Sequence, residues 1–321
     1  MKAPIFLFSL PRSGSTLLQR ILMGHPRIKS IAEPWLLLPL VYIAKKEGIL
    51  SEYSHNLFYQ AFSDFIQNMP NKEKDYLSHV ATFANSLYSE YCPSNNDYFL
   101  DKTPRYYLII PEIAKMFPDA KFIFLFRNPV QIYGSIINTW QANRLMGLHH
   151  NYIDLTTGPE KIAIGYNLLK GRSYALKYED FVKYPKRYLE EICRYLEIDY
   201  AKKMLDNFPS QNTKGKLGDP SGIKAYKQVT SDPINKWKYV FYNRFRQRIL
   251  WKYIQRIGSH VFESQGYEKK DILKDILQLT VSNRGVFRDI LDYQYSLFVR
   301  KINLNVLLFR KFRWSRRKYF S

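Results

Sequence analysis

Residues 1–22 constrain the fold of this chain more than any other stretch. The apolar residues 5–8 have the composition of a buried strand in a parallel sheet, and the apolar residues within 17–22 recur at helical spacing. Between them lies the turn Pro-Arg-Ser-Gly-Ser-Thr, residues 11–16. A tight turn from strand into helix aims backbone N–H groups and hydroxyls at one point. The stretch therefore predicts a site for a phosphate or sulfate oxyanion.

This turn differs from the loop that binds nucleotides in ordinary ATP enzymes. That loop, G-x-x-x-x-G-K-[ST], has a lysine after its second glycine, whereas Ser15 follows Gly14 here. The sequence thus disfavours ATP chemistry. Taken alone, the turn is equally consistent with a well-capped connection that binds nothing, so other segments must decide.

Composition and charge set the broad class of the protein. The 321 residues, 46% of them hydrophobic, suffice for a large α/β domain. Two cysteines, Cys92 and Cys193, are too few for a disulfide framework or a zinc site, and they predict inert thiols in a reducing compartment. Without a leader-like segment or an apolar run long enough to span a bilayer, a cytoplasmic, unsecreted protein is expected.

The formal net charge of +21 predicts a polyanionic partner. A nucleotide, an acidic glycan, anionic lipid or nucleic acid would each satisfy it. No helix-turn-helix, RNA-recognition or zinc signature accompanies the charge, so nucleic acid is not expected.

A second segment adds a lysine to the predicted oxyanion site. Residues 98–104 predict a strand that runs into a polar turn, followed by a helix over about 105–116. Lys102 follows this strand directly. Because the carboxyl ends of parallel strands meet at one sheet edge, Lys102 is expected on the same edge as Arg12.

A third segment predicts a second oxyanion site. Residues 121–126 are a continuous apolar run that ends at Arg127, and Pro129 begins the next helix at its first turn. Ser135 lies on that helix, eight residues after Arg127. An arginine at a strand end and a serine on the following helix suit a second phosphate-like group.

The alternation of strands and helices predicts an α/β fold with right-handed crossovers and a parallel sheet. Residues 173–178 predict a further strand, and residues 185–196 a helix. Tyr178, at the end of that strand, either stacks on a nucleotide base or closes the core.

A carboxylate follows the first helix. Residues 27–35 predict a short second strand ending in Glu33, which would place its carboxylate at the ligand-binding sheet edge. The alternative is that Glu33 caps the helix that follows Pro34. Residues 36–92 predict helical cover with a polar break at 69–74.

The C-terminal part is strongly basic. From Ser231 onward there are 20 Lys and Arg against 7 Asp and Glu, and from Arg300 to the end 8 against none. Residues 271–320 predict one or two helices whose apolar positions include Leu297, Phe298, Ile302, Val306, Leu307 and Phe309. Three alternatives stay open: a helix packed on the domain, an interfacial segment with Phe312 and Trp314 on an anionic membrane, or a tail that attracts an acidic polysaccharide.

Three motifs in this order resemble the sulfotransferases that use 3′-phosphoadenosine 5′-phosphosulfate (PAPS). They are the loop at 11–16, F-R-N-P at 126–129 with Ser135, and the Y-E-D-F and Y-P segment at 178–185. The resemblance covers about residues 4–240. It implies a P-loop-like three-layer α/β fold, with a central parallel sheet flanked by helices. The expected organisation is a sulfotransferase domain over 1–270 and a basic helical C-terminal extension over 271–321.

The resemblance also implies roles for individual residues. The loop residues Arg12, Ser13, Gly14, Ser15 and Thr16 correspond to those that hold the 5′-phosphosulfate. Arg127 and Ser135 correspond to the pair that holds the 3′-phosphate, and Tyr178 corresponds to the aromatic residue near the adenine. Lys236, next to Trp237, corresponds to a residue that helps close the nucleotide site. The PAPS co-substrate requires no metal in this scheme.

The catalytic base is expected to be a glutamate. Many family members use a histidine in a Lys-Thr-His run, but Pro104 stands at that position here, after Lys102. Tyrosylprotein and carbohydrate sulfotransferases instead use a glutamate shortly after the first helix, and Glu33 matches it, 21 residues after Arg12. By this resemblance Glu33 is the base, and Lys102 and Arg12 stabilise charge.

The acceptor is expected to be a hydroxyl, with a glycan favoured by the basic composition. A peptide tyrosine, a lipid headgroup and a small alcohol stay open, as do a P-loop-type nucleotide kinase and a non-enzymatic polyanion-binding protein. His25 is interpreted as a helix-end partner. His149 and His150 are left without a role, and the sequence predicts no oligomeric state.

Overall fold

The computed structural model describes residues 1–51, 53–95, 97–211, 213 and 228–302. The chain divides into two compact units, one formed by residues 1–127 and 160–231 and the other by residues 128–159 and 232–321. The domain boundary expected at residue 270 stays a prediction.

A parallel sheet forms the centre of the first unit. Its strands are β1 (Ala3–Phe8), β2 (Ile28–Ser30), β3 (Tyr98–Asp101), β4 (Lys121–Phe126) and β5 (Ser173–Lys177). Within the described residues their order is β2-β3-β1-β4-β5, and every neighbouring pair is parallel. The chain leaves β1 toward β2 and β3 on one side and reaches β4 and β5 on the other. Open α/β sheets bind ligands at the carboxyl end of such a central strand.

The helices follow in chain order. They are α1 (Ser15–Met23), α2 (Leu37–Tyr42), α3 (His55–Gln67), α4 (Glu73–Ser89), α5 (Ile110–Met116), α6 (Pro129–Ser135), α7 (Tyr152–Thr156), α8 (Gly158–Leu169), α9 (Tyr178–Lys183), α10 (Pro185–Leu196), α11 (Lys203–Asn207), α12 (Trp237–Val240), α13 (Arg244–Arg256), α14 (Ser259–Ser264), α15 (Lys269–Leu277) and α16 (Val286–Lys301).

Aromatic side chains from β1 and β4 form the centre of the sheet's packing. Phe8 contacts Phe122 at 6.0 Å and Phe124 at 5.1 Å between ring centroids, and Phe6 contacts Phe122 at 6.1 Å. All four rings are at most 1% exposed. Burial of one such ring contributes about 1.5–3 kcal/mol. The two strands whose ends carry the loop and Arg127 are thereby held in fixed register.

Several predicted elements are confirmed at or near their expected bounds. The first strand and helix are β1 and α1, residues 36–92 contain α2 to α4, and residues 185–196 are α10. The helix expected over about 105–116 is instead a 3₁₀ turn, Pro104–Leu108, followed by α5. A proline at the start of each piece, Pro104 and Pro111, accounts for the division.

The strand expected to end in Glu33 is shorter than predicted. β2 ends at Ser30, so Glu33 lies in the loop that follows it. The alternative that Glu33 caps the next helix is wrong, because α2 begins at Leu37 and has no side-chain cap.

The two cysteines are free, buried thiols. Burial raises the pKa of Cys193 to about 11, which keeps its sulfur in the weakly nucleophilic thiol form at neutral pH.

The second unit is helical in its described part. Tyr133 on α6 contacts the rings of Phe241 and Tyr253, at 5.5 and 4.8 Å between centroids. Gly134 allows α6 to approach α12 closely, since a Cβ there would lie 2.7 Å from Cβ of Trp237. Of the apolar residues expected in the C-terminal helices, Leu297 and Phe298 lie on α16 and Ile302 follows it. Those at 306, 307, 309, 312 and 314 lie outside the described residues.

None of the helices in the described ranges combines the length and the apolar character that a membrane crossing requires. The cytoplasmic location stays a prediction.

Candidate active site

The loop between β1 and α1 has a backbone that few residue types tolerate. Arg12 and Gly14 both have positive φ, 68° and 90°. A Cβ on Gly14 would lie 2.5 Å from ring atoms of Tyr178, so glycine is required by both conformation and space. Arg12 has no such freedom, and a left-handed arginine costs about 1–2 kcal/mol. The conformation of this loop therefore costs folding free energy, as strained backbone at functional sites commonly does.

A buried hydroxyl in this loop has no hydrogen bond from any described residue. Ser13 is 1% exposed, and its Oγ has no such partner, while its N–H donates to the Leu10 carbonyl at 3.3 Å. An unsatisfied buried hydroxyl costs about 1–3 kcal/mol. An oxyanion in the loop would accept from Ser13 and remove that cost. The loop residues thus fit a phosphosulfate group.

Lys102 joins the loop to Glu33. It follows β3 directly, is 1% exposed, and its ammonium donates to Glu33 Oε1 at 2.8 Å and to Thr16 Oγ1 at 3.3 Å. A buried lysine is stable only when it is paired and hydrogen-bonded. Lys102 therefore contacts both the Glu33 carboxylate and the loop at residues 11–16, which is called the anion loop from here on.

Glu33 is held but remains accessible. Its Oε2 accepts from the indole N–H of Trp35 at 3.2 Å, and its Oε1 accepts from Lys102. The side chain is 13% exposed. Because each carboxylate oxygen has two acceptor sites, Glu33 can take a further hydrogen bond from an approaching hydroxyl.

A buried carboxylate lies beneath this arrangement. Asp101, the last residue of β3, is fully buried and accepts hydrogen bonds from Tyr88 Oη at 2.6 Å, Tyr106 Oη at 3.0 Å and Thr103 Oγ1 at 3.0 Å. Burial raises the pKa of Asp101 to about 6, although the three hydrogen bonds and the charge of Lys102 oppose that shift.

The Asp101 cluster also fixes the loop that carries Glu33. Thr103 Oγ1 accepts from the backbone N–H of Trp35 at 3.3 Å, and Tyr106 Oη accepts from the N–H of Leu37 at 3.1 Å. Trp35 has a positive φ of 54°. The end of β3 thus determines where residues 33–37 run.

Arg127 lies against the first loop. It is 7% exposed, its Nη1 donates to the Arg12 carbonyl at 2.8 Å, and its guanidinium is 4.3 Å from the centroid of Tyr178. Tyr178 is 1% exposed and packs on Gly14 as well. The strand-end arginine and the loop are therefore neighbours. The burial of Tyr178 agrees with the alternative in which it closes the core.

Two predicted site residues belong to the second unit. Ser135 is the last residue of α6, and Lys236 is an exposed residue directly before α12, whose Trp237 is 5% exposed. Their assignment to the nucleotide site stays a prediction.

The histidines have structural contacts. His25 is buried, its Nδ1 accepts from the N–H of Arg27 at 3.1 Å, and its Nε2 donates to the Asp199 carbonyl at 2.9 Å. Burial lowers its pKa and favours this neutral ring. His149 and His150, in the second unit, have ring centroids 4.0 Å apart, and His149 Nδ1 lies 3.1 Å from the Met146 carbonyl.

Asp101, Thr103 and Trp35 were missed by the sequence reasoning. The available signals were an aspartate at the end of a buried strand, next to Lys102, and a tryptophan two residues after Glu33. Neither indicates its hydrogen-bond partners, because Tyr88 and Tyr106 reach Asp101 from different helical segments.

Comparison with known proteins identifies the family. A family model described as the sulfotransferase family matches residues 4–202, more than half of the chain. The chain therefore belongs to the sulfotransferase family. The matched part contains β1 to β5, the loop, Glu33, Lys102 and Arg127.

Curated proteins also match the chain, and one of them carries the name of a sulfotransferase. The nodulation protein NoeE of Sinorhizobium fredii is 34% identical over 136 residues, which are 42% of this chain and 31% of NoeE. A putative protein-tyrosine sulfotransferase of Caenorhabditis briggsae is 21% identical over 73% of this chain and 80% of its own length. The chain covers about a third of NoeE and 36% of an uncharacterized Aquifex aeolicus protein that also matches.

A solved structure confirms the fold. The sulfotransferase domain from the curacin biosynthetic pathway superposes with a TM-score of 0.53 and 21% identity, covering 84% of this chain and 99% of that domain. The predicted P-loop-like α/β fold with a central parallel sheet is confirmed. The predicted family is confirmed as well, and it favours a sulfotransferase over a nucleotide kinase or a non-enzymatic protein.

Proposed function

We propose that this chain transfers the sulfuryl group of PAPS to an acceptor hydroxyl, with Glu33 as the base. The observation that carries the proposal is the position of Lys102, which contacts both Glu33 and Thr16 of the anion loop. This contact supports an arrangement in which donor and acceptor meet at one cation.

The first unit supplies the groups for the donor's 5′ end. Backbone N–H groups at the start of α1, the Ser13 hydroxyl and Lys102 would surround the phosphosulfate. The proposed role of Arg12, Ser15 and Thr16 in the same loop follows from the family resemblance. These are fixed dipoles and charges, which stabilise developing charge without reorganisation.

The donor's 3′ end is assigned to Arg127. Its guanidinium is held at the loop by the Arg12 carbonyl and the Tyr178 ring, so it is oriented before a ligand arrives. Arginine suits phosphate because its donors match the oxygen geometry. The proposed contributions of Ser135, Tyr178 and Lys236 to nucleotide binding rest on the resemblance alone.

The proposed reaction is an in-line displacement at sulfur. The acceptor oxygen bonds to sulfur while its proton passes to Glu33, and the bond between sulfur and the bridging phosphate oxygen breaks. The electron pair stays on that oxygen, near the Lys102 ammonium. Because such transition states are loose, positioning and charge stabilisation do most of the catalytic work. Proton transfer to Glu33 adds about 10²–10⁴ in rate.

The proposed acceptor is a glycan hydroxyl. The support is the excess of basic residues, which suits an acidic saccharide, together with a glutamate base. A peptide tyrosine is the second candidate, because a matching Caenorhabditis briggsae protein has the name putative protein-tyrosine sulfotransferase. Incubation with ³⁵S-labelled PAPS and separated glycan, peptide and lipid pools would identify the acceptor class.

The test of the base is Glu33→Gln. The variant should lose sulfuryl transfer by about 10²-fold or more, yet bind 3′-phosphoadenosine 5′-phosphate with nearly unchanged affinity, because the amide keeps the shape but not the basicity. Calorimetry with that nucleotide and with adenosine 5′-phosphate checks the donor class. The 3′-phosphorylated ligand should bind more tightly.

The matched control is Glu90→Gln, which alters an exposed glutamate after α4 and should leave turnover unchanged. Wild-type turnover by Glu33→Gln would remove Glu33 from the mechanism. Equal affinity for the two nucleotides would instead argue against PAPS as the donor.

A further inference from the structure

Helix α16 directs its acidic side chains inward and several of its large apolar side chains outward, while Val299 is buried. Asp289 and Asp292 are at most 4% exposed, whereas Phe287 is 75%, Leu291 54% and Phe298 59% exposed. A surface helix normally has the opposite arrangement, with its apolar stripe toward the core. The outer face of α16 is therefore suited to bind an apolar surface.

Two ion pairs, one of them fully buried, fix this orientation of the helix. Asp289 pairs with the fully buried Arg246 through two contacts of 2.7 and 2.9 Å and accepts from Asn243 at 2.7 Å. Asp292 pairs with Arg144 through two contacts of 2.6 Å. Rotation of α16 about its axis would leave buried charges without partners, which is strongly unfavourable. The exposed apolar side chains are therefore held on the outer face.

The outward apolar residues form one continuous stripe. Phe287, Leu291, Tyr295 and Phe298 follow one another at spacings of four, four and three residues, and each is at least 47% exposed. At 100° per residue they fall within a sector of roughly 80° over a length of about 16 Å. Continuous exposed apolar surface of this kind marks an interaction site.

The exposed charged residues of α16 are all basic: Arg288, Arg300 and Lys301. Arg288 and Lys301 flank the stripe, whereas the Arg300 guanidinium lies on the other side of the helix, 4.0 Å from the Tyr152 ring. The helix's own acids are buried, and Asp289 lies 3.8 Å from the Arg288 guanidinium. From Arg300 to the end of the chain the sequence has 8 Lys and Arg and no acid. A second copy of this chain would bring two such cationic surfaces together, whereas an anionic bilayer complements them.

We propose that α16 docks this protein on an anionic membrane surface. The helix lies along the bilayer interface, with Phe287, Leu291 and Phe298 in the boundary between headgroups and acyl chains. Arg288 and Lys301 contact lipid phosphates. This docking is independent of the proposed sulfuryl transfer.

The test uses the full chain and sedimentation with phosphatidylcholine vesicles, with and without phosphatidylglycerol. Wild type should pellet with the anionic vesicles and lose binding as salt is raised. Leu291→Gln with Phe298→Gln should weaken vesicle binding about tenfold or more, because apolar burial is lost. Arg288→Gln with Lys301→Gln should weaken binding and flatten its salt dependence.

The matched control is Leu57→Gln with Phe65→Gln on α3, where the two side chains are 67% and 64% exposed. The control should bind like wild type, and circular dichroism should show that all three double variants keep their helical content. Wild-type binding by the Leu291→Gln, Phe298→Gln variant, equal loss in the α3 control, or no binding of wild type to anionic vesicles would overturn the proposal. A wild-type dimer that the α16 variant dissociates would assign the stripe to a second copy instead.

Discussion

The conformation of one residue, Gly14, determines the shape of the anion loop. Its φ of 90° is rarely adopted by residues with a Cβ, and the Tyr178 ring occupies the space where a Cβ would lie. Arg127 stacks on the same ring and donates to the Arg12 carbonyl. A side chain at position 14 would therefore disturb the loop and the arginine together.

We expect Gly14→Ala to lower the free energy of unfolding by about 1–3 kcal/mol, because of backbone strain and the clash with Tyr178. Affinity for 3′-phosphoadenosine 5′-phosphate should fall as well. Chemical denaturation and calorimetry measure the two effects. Gly171→Ala is the control, since a Cβ there meets nothing within 4 Å. Equal stability of the two variants would show that the loop relaxes freely.

At the scale of elements, the end of β3 organises the site. Asp101 and Lys102 are consecutive, and the first fixes the loop of Glu33 through Thr103 and Tyr106, while the second contacts Glu33 itself. The strand is buried on both faces. A shift of β3 along its neighbours would therefore move both supports of Glu33 at once.

The raised pKa of Asp101 predicts a specific pH dependence of stability. Its pKa is about 6 in the folded protein and near 3.8 when exposed, so the folded state binds the proton more tightly. This group's contribution is fully present below pH 4 and is lost as pH rises through 6. The loss should reach about 3 kcal/mol.

Asp101→Asn should remove that part of the pH dependence, because an amide does not titrate. Denaturation at a series of pH values between 4 and 7 measures the free energy of unfolding of both proteins. Their difference should change steadily over this range. Parallel curves would show that Asp101 does not titrate there.

Elements with a strong local pattern could be predicted from the sequence. β1 and β4 are continuous apolar runs, α1 has a helical apolar periodicity and α10 a proline at its first turn, and all four appear where expected. The loop after β2 has no such pattern. Its path depends on hydrogen bonds to Thr103 and Tyr106, about 70 residues away in the chain, so the end of that strand was misplaced.

At the scale of the molecule, some acidic residues are buried while many basic residues stay exposed. The net charge of +21 was visible in the sequence, but which acids would be buried was not. Asp289 pairs with the buried Arg246 and Asp292 with the half-exposed Arg144, and the weaker 3.8 Å contact of Asp289 with Arg288 offsets only one of the exposed cations of α16. The orientation of α16 could not be predicted, because its ion pairs join residues 43 and 148 positions apart.

The charge predicts how the enzyme should respond to salt. With an acidic oligosaccharide as acceptor, KM should rise about tenfold or more between low and high salt, because screening removes long-range attraction. A neutral oligosaccharide of the same length is the control, and its KM should change little. Steady-state kinetics measure both. The same response for both acceptors would argue against an acidic acceptor.

The single ammonium shared by Glu33 and Thr16 ties two properties of the enzyme together. Any substitution at or near Lys102 that changes the basicity of Glu33 also changes the electrostatic field at the donor's leaving oxygen. New acceptor preferences would therefore arise more readily in surfaces remote from that cation than by retuning the base. Directed evolution of this scaffold should accumulate its productive changes away from the Lys102 neighbourhood.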